Sequence, residues 1–170
     1  MRTKHIEVFP YTARWKQDFE NIKQELIAVL GDLAITIEHV GSTSVEGLAA
    51  KPIIDIDVVV ANKNTRSAIQ ALSSIGYIHE GDLGIAGREA FRYEGKEHLQ
   101  THHLYVCPED SPELRRHLLF RDYLKEHHEL AEEYGKVKME AAKLFPDDIE
   151  GYIEYKSPII HRIYQEIGLS

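Results

Sequence analysis

Two short stretches decide the fold, Glu38-His39-Val40-Gly41-Ser42-Thr43-Ser44 and Ile53-Ile54-Asp55-Ile56-Asp57-Val58-Val59-Val60. The second has the apolar, β-branched composition of a central strand. Because residues i and i+2 of a strand project from the same face, it places Asp55 and Asp57 side by side, with apolar residues filling the core behind them. The first stretch predicts the end of another strand, followed at once by a glycine turn.

The N-terminal part reads as a helix followed by a strand. Apolar residues spaced by three and four predict an amphipathic helix from about residue 11 to residue 30, ended by Gly31. Leu33 to Val40 alternates weakly, and we expect Ile35 and Ile37 on one face of this first strand.

The middle of the chain alternates between short elements. Ser44 is a suitable N-cap for a short helical piece from Val45 to Ala50. After the acidic strand, a second helix ends at Gly76. Several glycines break the segment from Tyr77 to Val106, which indicates antiparallel strands joined by turns, the last from His102 to Cys107.

The pattern changes beyond Pro108, where apolar residues at helical spacing predict three helical segments, separated or kinked by Pro146 and Pro158. We find neither an internal repeat nor a low-complexity linker. The sequence therefore predicts an α/β core over residues 1–107 and a helical C-terminal region over residues 108–170 that packs on it.

Composition excludes several classes of protein. The 170 residues are 43% hydrophobic, enough for the core of one ordinary domain. No run approaches the roughly 20 apolar residues of a membrane span, and the charged start Met1–Glu7 does not resemble a signal peptide, so we expect a cytoplasmic protein. Cys107 is the single cysteine, which excludes an intramolecular disulfide, and we expect it to be buried.

The net charge of −8 makes nucleic acid an unlikely partner, because neutralising a phosphate backbone needs a basic face. A nucleotide or another phosphorylated small molecule needs only a few local cations. The best candidates for these cations are Lys51, Arg88, Arg92, Arg121 and Lys138.

Asp55 and Asp57 are the candidate metal ligands. Adjacent carboxylates repel one another unless a cation compensates them. Mg²⁺, or Mn²⁺ in its place, would accept both and complete its shell with water and phosphate oxygens. The structural alternative is a solvated strand face, which is common for an Asp-x-Asp pattern.

The turn from Gly41 to Ser44 is the candidate phosphate site. A glycine permits close approach of the backbone, and the amides and hydroxyls of Ser42, Thr43 and Ser44 can donate to phosphate oxygens. A turn of this composition is also common in ordinary loops, so the combination with the acidic strand is more informative than either motif.

The block from Ile37 to Ile56 resembles the hallmark of the GrpB family, whose fold is that of the polymerase-beta-like nucleotidyltransferase superfamily. Three further blocks agree with it: Gly87-Arg88, Thr101-His102-His103-Leu104 and Phe120-Arg121-Asp122-Tyr123-Leu124. The resemblance spans nearly the whole chain.

This resemblance implies an α+β fold with a mixed sheet flanked by helices and a helical C-terminal part. It also implies a metal-dependent nucleotidyltransferase-type site at Gly41, Ser42, Asp55 and Asp57. Arg88 and Arg121 enter as phosphate ligands mostly through the family blocks. Either could instead hold the two halves of the chain together by pairing with a carboxylate.

One feature departs from the superfamily, whose active members usually carry a third carboxylate on a later strand. The strand from His102 to Cys107 has none. His103 could replace it as a general base or metal ligand, or be a hydrogen-bonded structural group. We expect His102 and His39 to be structural, and the remaining histidines, including His127 and His128, to be solvated.

The leading hypothesis is a metal-dependent transferase that moves a nucleotidyl group from a nucleoside triphosphate to an unknown acceptor. The alternative, favoured by the missing acid, is a binding module of the same fold that holds a nucleotide or another phosphorylated ligand without turnover. A third possibility is a hydrolase assisted by His103.

Overall fold

The computed structural model describes residues 5–169. The segment Met1–Lys4, part of the argument against a signal peptide, lies outside them. The helices are α1 (Arg14–Leu30), α2 (Thr65–Ser73), α3 (Pro112–Glu126), α4 (His128–Leu144) and α5 (Ile149–Ile167). The strands are β1 (Ala34–Val40), β2 (Ile54–Val60), β3 (Tyr77–Gly81), β4 (Glu89–Tyr93) and β5 (His102–Pro108). Short 3₁₀ helices cover Gly31–Leu33, Ser42–Ser44 and Asn62–Asn64.

The five strands form one mixed sheet in the order β1-β2-β5-β4-β3. Strands β2 and β5 are parallel, and the other neighbours are antiparallel. The predicted α+β fold with a mixed sheet is therefore confirmed. The parallel register sets Asp55 opposite His103 and Asp57 opposite Tyr105, so that these four side chains share one face of the sheet.

Helices lie on both faces of the sheet. The apolar stripes of α1 and α2 pack on the face that Ile54, Ile56 and Val58 supply, and form the main core. Helix α3 lies on the opposite face, where the acidic side chains project. The C-terminal helices enclose a second cluster that includes Val45 and Leu48, from the segment between β1 and β2.

The first strand contains a β-bulge that the sequence did not indicate. Ala34 pairs with Val60 and Thr36 with Val59, which leaves Ile35 as the extra residue. A bulge shifts the alternation of side chains between the two faces. Ile35 is therefore 50% exposed while Ile37 is 8% exposed, and the expectation that both share one face was wrong.

The predicted helical piece from Val45 to Ala50 is also absent, and the helical turn instead lies at Ser42–Ser44. The Ser44 hydroxyl donates to the Gly41 carbonyl oxygen and does not cap a later helix. Gly47 has a φ of +84°, which ends the turn, and Ala50 pairs with Phe9 in an isolated bridge. The chain is thus pulled into an extended connection towards β2.

The three predicted C-terminal helices are confirmed. Ser111 caps α3 by accepting from the amide of Leu114, and Asp148 caps α5 in the same way. Pro146 lies between α4 and α5, whereas Pro158 lies inside α5. Among residues 5–169, no helix combines the length and apolar character needed to span a bilayer. Cys107 is buried, as predicted.

Candidate functional site

A cleft with a volume of about 300 Å³ lies between the sheet and the C-terminal helices. The sheet side supplies the Gly41-Ser42 turn, Asp55 and His103. The helical side supplies residues of α3, α4 and α5, among them Lys138 and Lys156. Its volume lies at the lower end of the range typical of small-molecule sites.

Position 41 must be a glycine because the carboxylate of Asp55 lies against it. Gly41 has a φ of +74°, and a β-carbon added to it would lie 2.3 Å from Oδ2 of Asp55. Any other residue would push Asp55 away from the turn. The glycine that was predicted to admit a phosphate thus brings the turn and the first acidic residue of β2 into direct contact.

Asp55 also holds His103. The Nδ1 of His103 donates to Oδ1 of Asp55 over 3.1 Å, across the parallel pair β2 and β5. The Nε2 of this imidazole is buried and has no hydrogen-bond partner within residues 5–169. The carboxylate therefore fixes the ring and leaves one nitrogen available for chemistry.

Asp57 lies beneath helix α3 with no exposed surface. Its Oδ2 accepts from Nδ1 of His117 over 2.6 Å, and Nε2 of His117 lies 3.1 Å from Oε1 of Glu113. Oδ1 of Asp57 is buried without a hydrogen-bond partner among the described residues. From the sequence, His117 was expected to be solvated, and this expectation was wrong.

Burial and pairing act in opposite directions on this buried pair. Burial raises the pKa of Asp57, although the hydrogen bond from His117 lowers it. Burial lowers the pKa of His117, but the hydrogen bond to Asp57 and the charges of Asp57 and Glu113 outweigh this, so the pKa is raised overall. An imidazole with an acceptor at each nitrogen is held as the imidazolium that donates to both.

Three lysines converge on the cleft and lie against tyrosine rings. Lys138 is only 2% exposed, and its Nζ lies 4.4 Å from the centroid of Tyr134. The Nζ atoms of Lys156 and Lys51 lie 4.8 Å and 5.4 Å from the centroid of Tyr152. Cation–π contacts of this kind are attractive but do not neutralise the charge.

The cleft cations lack carboxylate partners. Arg116 of α3 lies with its guanidinium carbon 4.7 Å from the centroid of Tyr164. Neither Arg116 nor any of the three lysines has a carboxylate within ion-pair distance in the part of the chain that the structure describes. Four basic side chains that face one cleft without ion-pair partners among the described residues are suited to binding an anion.

This environment lowers the pKa values of all three lysines. Burial, followed by the charges of Lys156 and Lys51, lowers the pKa of Lys138 well below its ordinary value. Burial and the charge of Lys51 lower the pKa of Lys156 to about 8. Asp55 acts in the opposite direction on all three, but does not compensate.

The cleft brings seven of the predicted site residues together: Gly41, Ser42, Thr43, Lys51, Asp55, His103 and Lys138. The hydroxyl of Thr43 is already used, because it bonds to Nε2 of His39 over 2.9 Å. Burial lowers the pKa of His39 to about 4, so this ring is neutral. The amides of Ser42 and Thr43, at the start of the 3₁₀ helix, have no partner within it.

Five other predicted residues do not line the cleft, among them Arg92, which is exposed on β4. Ser44 faces a separate pocket beside α1, and Asp57 is covered by His117. Arg88 stacks on the ring of Tyr105 at 4.5 Å. Arg121 is engaged by Glu38.

Arg121 takes the structural alternative that the sequence left open. Its Nη1 donates to Oε2 of Glu38 over 2.8 Å and to the carbonyl oxygen of His39 over 3.1 Å. It thereby fastens α3 to β1. His102, expected to be structural, is buried and bonds to the hydroxyl of Tyr77 over 2.7 Å.

Sequence reasoning missed Arg116, His117 and Lys156. A weak signal for His117 was available, since Glu113, His117 and Arg121 recur every four residues and so share one face of α3. Lys156 lies in the apolar pattern of α5, where an unpaired charge is unusual. Neither pattern identifies the residues that His117 or Lys156 contacts in the fold.

Comparison with known proteins places the whole chain in a family. The sequence model described as GrpB protein matches residues 5–166. The chain is 38% identical to the UPF0157 protein YqkA of Bacillus subtilis over 90% of its length, but spans only 44% of YqkA. The crystal structure of the conserved protein GrpB from Enterococcus faecalis is 37% identical, with a TM-score of 0.82 over 95% of this chain and 96% of that one.

More distant structures share the fold. The structure of Cid1 in complex with the UTP analog UMPNPP matches 79% of this chain and 42% of the Cid1 chain, with a TM-score of 0.54 and 13% identity. At this identity the likeness concerns the fold alone. The sheet and its helices thus share the fold of the matched part of Cid1.

Proposed function

Because the chain belongs to the GrpB family and has a nucleotidyltransferase-like fold, we propose that it is a metal-dependent nucleotidyltransferase that uses a nucleoside triphosphate. One observation carries the proposal. Lys51, Lys138, Lys156 and Arg116 line the same cleft as the Gly41-Ser42 turn and Asp55, without carboxylate partners among residues 5–169.

A polyphosphate fits this set of cations. Its oxygens would give counter-charges to amines that burial has deprived of water, and would favour their protonated form. Arg116 can make two parallel hydrogen bonds to one phosphate, and the lysines act as point charges. The amides of Ser42 and Thr43 would donate to the phosphates from the opposite wall.

Asp55 and Asp57 would hold Mg²⁺ or Mn²⁺. Each carboxylate has one oxygen bonded to an imidazole, and Oδ1 of Asp57 is buried without a partner within residues 5–169, as a metal ligand would be. No set of three acidic, histidine or cysteine side chains in that range is arranged around a metal position. The shell would therefore be completed by water and substrate phosphates, as Mg²⁺ prefers. When bound, the metal would supply charge neutralisation at the transferred group.

His103 would act as the general base. Its Nδ1 is held by Asp55, so Nε2 can accept the proton of an acceptor group. The deprotonated acceptor attacks the α-phosphorus, a new bond to phosphorus forms, and the bond to the pyrophosphate oxygen breaks. Pyrophosphate leaves against the lysines. An imidazole would then take the role of the missing third carboxylate.

A second candidate is the binding module without turnover, and the burial of Asp57 favours it. Asp57 has no exposed surface beneath α3 and does not line the cleft, so for a binding module a cation in the cleft would meet Asp55 alone. In this reading the same cleft holds a nucleotide or another phosphorylated molecule intact.

Chemical unfolding with and without Mn²⁺, across a panel of nucleoside triphosphates, tests the binding step. A ligand at about 100 times its dissociation constant should add roughly 2.7 kcal/mol to the free energy of unfolding. We expect Asp55→Asn to abolish the metal-dependent gain and the exposed control Asp32→Asn to retain it. A full gain in Asp55→Asn, or no response to any triphosphate in the wild type, overturns the proposal.

Product analysis then separates the two candidates. Pyrophosphate release that requires an acceptor supports the transferase, whereas a bound triphosphate recovered intact under every acceptor supports the binding module.

A further inference from the structure

The two carboxylate oxygens of Asp57 lie in different environments. Oδ2 accepts a 2.6 Å hydrogen bond from Nδ1 of His117. Oδ1 is buried and has no partner among residues 5–169. A buried carboxylate oxygen without a donor is costly, so Oδ1 requires a cation or a donor that residues 5–169 do not provide.

Asp55, two residues earlier on the same face, repeats the arrangement. Its Oδ1 accepts from Nδ1 of His103 over 3.1 Å, and its Oδ2 faces Gly41. Each member of the acidic pair thus has one oxygen held by an imidazole and one oxygen left free. In one case the imidazole comes from the sheet, and in the other it comes from helix α3.

A second contact, one turn after His117 on α3, holds this helix against the sheet. Arg121 donates to Glu38 over 2.8 Å, and Glu38 is the register partner of Asp57 on the neighbouring strand. His117 and Arg121 therefore bind two carboxylates that lie side by side on β1 and β2. Glu113, one turn earlier, lies 3.1 Å from Nε2 of the same imidazole.

We infer that His117 is a positioning residue that orients the Asp57 carboxylate for the metal of the proposed site. It binds Oδ2 and thereby fixes the rotation of the carboxylate, so that Oδ1 is presented to the cation. This inference rests on the proposed function, because the cation is the one assigned there to Asp55 and Asp57. Hydrogen bonds to the ligating carboxylates commonly tune metal affinity in this way.

The opposite role would be a blocking contact, in which His117 keeps Asp57 from the metal. The two roles predict opposite signs. Removal of a positioning residue weakens metal binding, whereas removal of a blocking residue strengthens it. Metal affinity, and not activity, is therefore the quantity to measure.

Mn²⁺ titrations of the full chain, followed by the electron paramagnetic resonance signal of free Mn²⁺, provide the test. We expect His117→Leu to raise the dissociation constant for Mn²⁺ about 10- to 100-fold. His117→Asn, whose side-chain amide can donate from nearly the position of Nδ1, should retain most of the affinity. Recovery by the Asn variant distinguishes a hydrogen-bonding role from mere filling of space.

His79→Leu is the matched control. It removes another imidazole–carboxylate pair with the same 2.6 Å distance, between His79 and Glu89 on the far strands of the sheet. Its dissociation constant for Mn²⁺ should equal that of the wild type. If His117→Leu does not fold, Glu113→Leu replaces it, with a smaller loss of Mn²⁺ affinity expected because the imidazole is then held at only one nitrogen.

Three results overturn the inference. Unchanged or tighter Mn²⁺ binding by His117→Leu or, where that variant does not fold, by Glu113→Leu contradicts the positioning role while the proposed function stands. An equal loss in the Leu and Asn variants reduces His117 to a packing residue. Absence of Mn²⁺ binding in the wild type, with or without a nucleoside triphosphate, removes both this inference and the metal of the proposed function.

Discussion

The carboxylate of Asp55 occupies the space in which a side chain on Gly41 would lie. A β-carbon at Gly41 would be 2.3 Å from Oδ2 of Asp55, well inside van der Waals contact. The two motifs that define this sequence are therefore in direct contact in the folded protein. The Asp55 carboxylate can take this position only because Gly41 has no side chain.

Replacing Gly41 tests this contact. Gly41→Ala introduces both an unfavourable positive φ and the clash with Asp55, whereas Gly47→Ala introduces only the positive φ, because nothing lies within 4 Å of a β-carbon there. We expect Gly47→Ala to lower the free energy of unfolding by about 1–2 kcal/mol. Gly41→Ala should cost about 1–3 kcal/mol more. Urea denaturation measures both, and equal losses would contradict the contact.

Lys138→Met should stabilise the ligand-free protein. The substitution keeps most of the volume and removes an amine that is 2% exposed, whose charged form burial disfavours, and that has no carboxylate partner among the described residues. We expect a gain of about 1–3 kcal/mol in the free energy of unfolding, together with loss of the response to nucleoside triphosphates. The exposed Lys136→Met on the same helix should change stability by less than about 0.5 kcal/mol. A less stable Lys138→Met protein would mean that the amine has a partner within the fold.

The buried lysines should make stability rise with pH. Burial lowers the pKa of Lys156 to about 8, below that of the unfolded chain, so above this value the unfolded chain binds more protons and folding becomes more favourable. For one such lysine, the free energy of unfolding rises by at most about 1.4 kcal/mol per pH unit. Denaturant midpoints between about pH 8 and 9.5, below the ionisation of tyrosine, measure it. Lys156→Met should flatten the rise, and an unchanged slope would contradict the assignment.

Arg121 and Glu38 should be energetically coupled. Their side chains are 15% and 28% exposed, so the pair is screened less than a surface ion pair. A double-mutant cycle with Arg121→Met and Glu38→Gln should give a coupling of about 1–2 kcal/mol in unfolding free energy. Were Arg121 instead a phosphate ligand, the coupling would be close to zero and the response to triphosphates would be lost.

The sequence predicted the elements well where local patterns are strong. The β-branched run of β2 and the helical spacing of α1 both give a dominant period, and both elements form within a few residues of the predicted bounds. The two wrong predictions, for Ile35 and for the segment from Val45 to Ala50, arise from irregular backbone pairing. The extra residue Ile35 changes face because of a bulge, and the segment from Val45 to Ala50 is drawn into an extended path by its pairing with Phe9. The division at residue 107 stays a prediction.

For the site, the sequence linked Gly41 to Asp55 through two neighbouring motifs, and pointed to His103 only through the strand on which the superfamily resemblance implies a third carboxylate. The three residues meet in the structure because β2 pairs with both β1 and β5. His117 was missed because its partner Asp57 lies 60 residues away and belongs to another element. The roles of these residues remain proposals.

The sequence by itself determined that a buried strand carries two carboxylates on one face and that a glycine turn precedes it, because hydrophobic periodicity and glycine's freedom at positive φ are local properties. Only the tertiary structure decided that α3 covers Asp57 with His117, and that Lys51, Lys138 and Lys156 from three separate segments meet in one cleft with no carboxylate partner among residues 5–169. Local patterns encode which face of an element is buried. They do not encode which surface that buried face packs against. Several helices have similar apolar stripes, so their packing partners are decided by the whole fold.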